Sequence, residues 1–251
     1  MSRFTVTANL PHDAGTVLLG EKYAEILDNA IKNAGIQPVY VPDNPFVDPR
    51  LSGHADLSVL HMGGEKCLLS KHIEGTGLSR WVEDIGAEIS YLSASLGSVY
   101  PKDAALNCCI VGDSLIYNKN TVAPEIAEYF TSNSSRLINV KQGYTRCSVC
   151  VVNEMAVITS DRGIAKAVHA AGMDVLLISQ GYVNLPGFDY GFFGGAAFKI
   201  GIDRIAFTGT LDKHPDKLQI YEFLRKNRVE PVFFTQLPIF DIGGAVPILE
   251  K

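Results

Sequence analysis

The residues able to do chemistry in this chain are few and spread over its length. Cys147 is the candidate nucleophile, with Arg146 and Lys141 close enough in sequence to lower its pKa and favour the thiolate that reacts. His54 is the candidate acid/base. It stands two residues before Asp56, and on an extended strand residues two apart share a face. Asp56 and Asp103 open two stretches that superpose without gaps, and Asp189 and Asp241 each precede a Gly-Gly pair. Carboxylates brought together from distant segments suit a cationic ligand, or a proton transfer where a like-charged neighbour raises one pKa. The plainer reading stays open at each position. Strand-entry aspartates cap turns, and Cys147 superposes on Ser58, Ala105 and Ala196, a set of small side chains that packing at a crowded axis would require. His61 falls on the strand face opposite Asp56, and His214 lies in a polar lead-in to a helix. Both read as structural.

Cysteine spacing adds no metal site. Cys147 and Cys150 are three apart and would point to opposite faces of a strand, as would the adjacent Cys108 and Cys109. The glycine-rich run Gly191-Phe-Phe-Gly-Gly195 lacks the Lys-Ser/Thr of a phosphate loop. No metal and no cofactor are expected.

The elements that must position these groups repeat. Asp56–Ser70, Asp103–Tyr117, Thr145–Thr159 and Gly194–Thr208 each read as a small-residue apolar strand, a tight polar turn and a second strand. Amphipathic stretches follow, such as Leu78–Ile85, Ile164–Ala171 and Leu218–Arg225, with apolar residues at three- and four-residue steps. Ser160-Asp161 and Pro124-Glu125 mark helix starts. A third strand closes each unit: Gly35–Val41, Gly86–Leu92, Leu137–Val140, Gly172–Ile178 and Arg228–Phe234. Phe4–Asn9 resembles the second strand of a hairpin and Asp241–Leu249 the first strand of one. The two ends are therefore expected to pair, Phe4–Thr7 beside Val246–Leu249, and to close a ring. The expectation is a single α/β-propeller domain over residues 1–251, built of five ββαβ units with a ligand site on the axis.

Five ββαβ units in 251 residues resemble the pentein superfamily, the guanidine-modifying fold. Lys141–Cys150, Asp189–Gly195 and Asp241–Gly244 are similar to an uncharacterised bacterial branch of it. The resemblance implies a five-fold α/β propeller. Its enzymes are deiminases, dimethylarginine hydrolases and amidinotransferases, and its non-catalytic members are ribosome-binding translation factors. In those enzymes a Cys of the last inner strand attacks a guanidinium carbon, a His in the third unit handles protons, and two carboxylates clamp the guanidinium nitrogens. The sequence departs from that pattern. Its last inner strand reads Gly243-Gly-Ala-Val-Pro-Ile-Leu249, no Cys follows Cys150, and Tyr144–Ser148 occupies the place of the His. Two functions follow: a hydrolase acting on carbon–nitrogen bonds of a small cationic (guanidino or amidino) or amide-like metabolite, or a non-catalytic protein binding a small ligand or a protein partner.

Charge narrows the partners. Net charge is −5, pI is about 5.7, and no Lys/Arg run exceeds two residues. Nucleic acid and anionic membrane, which both need a clustered basic face, are not expected. No apolar run approaches the ~18 residues of a spanning helix, and Met1-Ser-Arg-Phe-Thr5 lacks the features of a leader. With five cysteines, an odd number, reduced thiols in the cytoplasm are the expectation.

Overall fold

A computed structural model describes residues 3–251; Met1 and Ser2, part of the stretch read above for a leader, lie outside the described residues. The chain forms β1 (Arg3–Phe4), β2 (Ala14–Gly20), α1 (Ala24–Asn33) and β3 (Gln37–Val41), then β4 (Val59–Gly63), β5 (Lys66–Leu69), α2 (Gly77–Asp84) and β6 (Glu88–Tyr91). The third group is β7 (Cys109–Val111), β8 (Ser114–Tyr117), α3 (Pro124–Ser132) and β9 (Arg136–Asn139). The fourth is a single turn α4 (Thr145–Ser148), then β10 (Val149–Asn153), β11 (Ala156–Thr159), α5 (Arg162–Ala170) and β12 (Asp174–Leu177). Last come β13 (Ala197–Gly201), β14 (Arg204–Phe207), α6 (Lys217–Lys226), β15 (Glu230–Phe233) and β16 (Val246–Glu250).

Five small sheets result: β4-β5-β6, β7-β8-β9, β10-β11-β12, β13-β14-β15 and β1-β16-β2-β3. In each, an inner strand pairs antiparallel with a middle strand, which pairs parallel with an outer one after a helical crossover. Each helix buries one face: Leu27 and Ile31 on α1, Leu78 and Val82 on α2, Ile126 and Phe130 on α3, Ile164 and Val168 on α5, Ile220 and Leu224 on α6. Asp161 caps α5 through Ile164 N (2.8 Å), and Pro124 opens α3.

Closure is visible in the core. Among the described residues there are five apolar clusters, and each lies between two successive sheets. One joins Leu60 and Leu68 to Ile110 and Leu115, the next Val111 and Ile116 to Val149 and Val157, the third Cys150 and Ile158 to Ala197 and Ile205. The fourth joins Phe198 and Ala206 to Val17 and Ala245, and the fifth returns from Leu18 and Val246 to Val59 and Leu69. The sheets therefore stand as five blades around one axis. The fold is a five-fold α/β propeller.

The termini share a sheet, but the strands divide the work differently from the sequence expectation. Phe4 does pair with Leu249, yet β1 is only a two-residue edge added to β16. The middle strand of that blade is Ala14–Gly20, with Val246 opposite Leu18. Its run Ala-Gly-Thr-Val-Leu-Leu-Gly is almost entirely buried and has no alternation to announce a strand. Residues 5–13, freed from that role, cross one end of the axis. Thr5 O accepts from Gly64 N, Asn9 Nδ2 donates to Ile110 O, and His12 O accepts from Ile202 N, each at 3.0 Å. The segment thus ties together hairpins from three blades and leaves the opposite end of the axis for a site.

Candidate functional site at the open end of the axis

Each inner strand at the open end is entered through a tight turn rather than directly. Ala55–Leu57 precedes β4, α4 precedes β10, and Gly194–Ala196 precedes β13. Turn geometry, not strand alternation, therefore sets where the polar side chains point. His54 caps the first of these turns and Asp56 lies within it, and both press against Gly243. A Cβ there would stand 2.5 Å from His54 Cβ and 2.7 Å from Asp56 Oδ1. Gly243 and Gly244 have φ of +70° and +67°, the left-handed region open to glycine at little cost.

Strand register also corrects the superposition of the third repeat. Val59, Val149 and Ala197 sit at equivalent positions, opposite Leu69, Thr159 and Phe207. Two residues before them stand Leu57, Cys147 and Gly195, so Cys147 is not in register with Ser58 and Ala196. It replaces a leucine and a glycine at the rim.

Cys147 is held by a residue the sequence did not single out. Asn107, from the turn before β7, accepts at Oδ1 from the backbone N–H of Arg146 (2.9 Å) and of Cys147 (3.3 Å), and its Nδ2 donates to Cys147 Sγ at 3.2 Å. Asn107 O accepts from Thr145 Oγ1 at 3.1 Å. The thiol donates to Asp56 Oδ2 at 2.8 Å. Donor groups of His54, Cys147 and Asp241 all lie within 4.8 Å of one another. All three are essentially buried yet line one cavity of about 290 Å³, with Leu51, Leu57, Tyr144, Leu185, Phe188, Asp189, Tyr190 and Phe192 completing its wall.

The structure distributes the proposed site residues in three layers. His54, Cys147, Asp189 and Asp241 line the cavity, Asp189 at its exposed rim. Asp56 lies one hydrogen bond behind the thiol. Asp103 is set back, accepting at 2.7 Å from the hydroxyl of Tyr144, which itself lines the wall. Asp241 is oriented by backbone donors: Phe192 N to Oδ2 at 2.8 Å and Gly243 N to Oδ1 at 2.9 Å. His54 Nε2 and Asp56 Oδ1 are buried with no hydrogen-bond partner. Buried polar atoms in folded proteins are normally paired, so the orphaned His54 Nε2 at the cavity wall, with Asp56 Oδ1 unpaired just behind it, marks the cavity as built for something else to bind.

The electrostatics reverse one sequence expectation. Burial, and then the charges of Asp56 and Asp241, push the Cys147 thiol well above its ordinary pKa. Arg146 does not lower it. Its guanidinium turns to Gly194 O (3.3 Å) and Ala245 O (3.4 Å), stitching three blades across the axis. It acts instead on Asp56, whose carboxyl burial pushes upward while His54, the thiol and Arg146 pull it back. Tyr23, whose ring is 6.2 Å from that of His54, is likewise pushed upward by burial and then by the charge of Asp241. The residues lining the pocket thus include two aspartates and no lysine or arginine.

The wall nearest solvent is the segment 182–192. Asn184 N donates to Ile239 O (3.0 Å), Asp241 N to Asn184 O (2.9 Å) and Gly191 N to Val183 O (2.7 Å). Arg50 reaches over from the first blade, donating to Gly187 O at 2.6 Å with its guanidinium 4.1 Å from the Phe188 ring. The signal for this wall was present in the sequence as clustered aromatics, Phe188, Tyr190, Phe192 and Phe193, which carry no chemistry of their own.

Known structures share this architecture. An agmatine deiminase from C. jejuni matches with a TM-score of 0.57 at 8% identity, covering 100% of this chain and 97% of that one. An inosamine-phosphate amidinotransferase from Streptomyces griseus matches with a TM-score of 0.56 at 10% identity, covering 99% and 97%. DDAH from Pseudomonas aeruginosa, in a complex with citrulline, matches with a TM-score of 0.54 at 9% identity, covering 93% and 96%. At such identities the likeness speaks for the fold, which is that of the pentein superfamily. No curated protein matches the chain in sequence. Among the described residues no helix is long and apolar enough to cross a membrane. A family model described as "Family of unknown function (DUF6873)" matches residues 18–246, and the chain belongs to that family.

Proposed function

We propose that the axial cavity takes a small planar cation of the amidino or guanidino class and that the protein hydrolyses a carbon–nitrogen bond in it, with Cys147 as nucleophile. The observation that carries this reading is the placement of a thiol between two buried carboxylates, Asp56 and Asp241, at the bottom of an aromatic-walled pocket. A cation entering there is drawn to Asp241 and Asp189, and its charge offsets the repulsion that keeps the thiol protonated. The Cys147 proton passes along the existing hydrogen bond to Asp56 as Sγ attacks the amidino carbon. His54 Nε2, free of any partner, donates a proton to the departing amine. It then takes one from the water that displaces sulfur while Asp56 returns its proton to the departing thiolate, and the product leaves as an amide from an amidine or a urea from a guanidine. The similar folds named as an agmatine deiminase and an amidinotransferase support the substrate class.

One observation favours the competing reading, a non-catalytic binding protein: the thiol is protonated and hydrogen-bonded in the free site. The two separate in one assay. Purified protein is incubated with a panel of small amidines, guanidines and primary amides, and ammonia or amine release is followed beside Cys147→Ser and His54→Gln. Turnover of a cationic member, lost in Cys147→Ser, is the expected result. Saturable binding of a cation without turnover would leave the binding reading.

A further inference from the structure

We propose that His54, Cys147 and Asp241 form a site for a divalent metal of the zinc class, which would occupy the groups assigned to the thiol reaction and so compete with it. The three offer an imidazole nitrogen, a thiolate sulfur and a carboxylate oxygen, the donor set that zinc prefers over the oxygen-only sets of magnesium or calcium. Their ligand atoms lie within 4.8 Å of one another. Tetrahedral zinc, with bonds of about 2.0–2.3 Å, needs donors about 3.5 Å apart, so closure by roughly 1 Å suffices.

A second observation points to a ligand independently of that spacing. His54 is 2% exposed, lines the cavity, and its Nε2 has no partner. Asp241 already carries the supports that orient a ligating carboxylate, the backbone donors Phe192 N and Gly243 N. Asn107 Nδ2 plays the same part toward sulfur. All three ligands come from different blades and converge on the cavity, so the fourth position would face the pocket and remain open to water or a ligand. On binding, the thiol proton passes to Asp56, which already accepts its hydrogen bond, and the metal's charge is met by the Cys147 thiolate and the Asp241 carboxylate.

Cobalt(II) is the probe, because a thiolate bound to it gives a near-ultraviolet charge-transfer band. Titrating the metal-free full chain should give that band at one cobalt per chain, and zinc should bleach it. Cys147→Ser should abolish the band, His54→Gln and Asp241→Asn should weaken binding at least tenfold, and Cys67→Ser should leave it intact. Circular dichroism of each variant reports whether the fold survives. No band, or a band that persists in Cys147→Ser, overturns the site. Alkylation of Cys147 by a cationic electrophile reads the proposed thiol chemistry separately. Labelling without cobalt binding refutes only the metal site; cobalt binding without labelling refutes only the nucleophile.

Discussion

The Sγ of Cys147 lies 2.8 Å from Oδ2 of Asp56, a residue 91 positions earlier in the chain. Neither local structure nor a shared blade joins them. They meet because the turns entering β4 and β10 aim at the same end of the axis, and Asn107 from the blade between them fixes the second turn.

That makes Asn107 the residue whose loss should be felt most widely. Its side chain satisfies two buried N–H groups and the thiol. Asn107→Ala leaves those donors buried without partners, at a cost of about 1–3 kcal/mol each where no water replaces the amide. A fall of about 2–4 kcal/mol in urea-denaturation stability is expected, together with a changed Cys147 reactivity. Unchanged stability would mean that the turn holds itself.

How far the sequence anticipates this arrangement follows from what each signal measures. Helix periodicity and hairpin turns reflect local burial, and they place α2, α5 and α6 within two residues of where they form. β2 escapes because a strand buried on both faces has no period. Cys147, His54, Asp189 and Asp241 are recognisable by residue type, whereas Asn107, Tyr23 and Tyr144 act only through neighbours that the closed ring supplies. Asp103 illustrates the limit of repeat arithmetic: its window matches that of Asp56, but the shorter β7–β8 hairpin shifts the strand register, and it ends up behind Tyr144.

Gly243 should tolerate no side chain. At φ +70°, with His54 and Asp56 within 2.7 Å of the place a methyl would occupy, alanine there is strained in both backbone and contact. Gly243→Ala is expected to destabilise the fold by about 1–3 kcal/mol and to displace His54. Thermal unfolding and the His54 imidazole resonances report the two effects. Wild-type values for both would show that the backbone moves freely at this point.

The far end of the axis provides a pH test. Lys199 is 2% exposed, its Nζ donates to Ile202 O at 3.0 Å, and burial pushes it down to about 8 from 10.5. Between those values the unfolded chain binds more protons than the folded one at this residue, so its contribution to stability rises with pH. At pH 7.5 Lys199→Met should be the more stable protein, and its advantage should shrink by roughly 2 kcal/mol by pH 9.5. The buried cysteines pull the opposite way, and all but Cys150 do so equally in both proteins; Cys150 feels the Lys199 charge, so the difference reports the lysine together with its coupling to that thiol. An advantage that does not change with pH would contradict the shift.

The central claim is that the axial pocket draws a planar cation onto Cys147. It is tested most directly by comparing 2-chloroacetamidine with 2-chloroacetamide, which match in shape and differ in charge, and mapping the modified cysteine by peptide mass spectrometry. In the free site the thiol is protonated and flanked by carboxylates, so the neutral reagent should label Cys147 slowly, as it does buried Cys67. The cationic reagent should label Cys147 at least tenfold faster than its neutral partner, with the preference falling in Asp241→Asn. Equal rates for the two reagents at Cys147, with no change in Asp241→Asn, would contradict it.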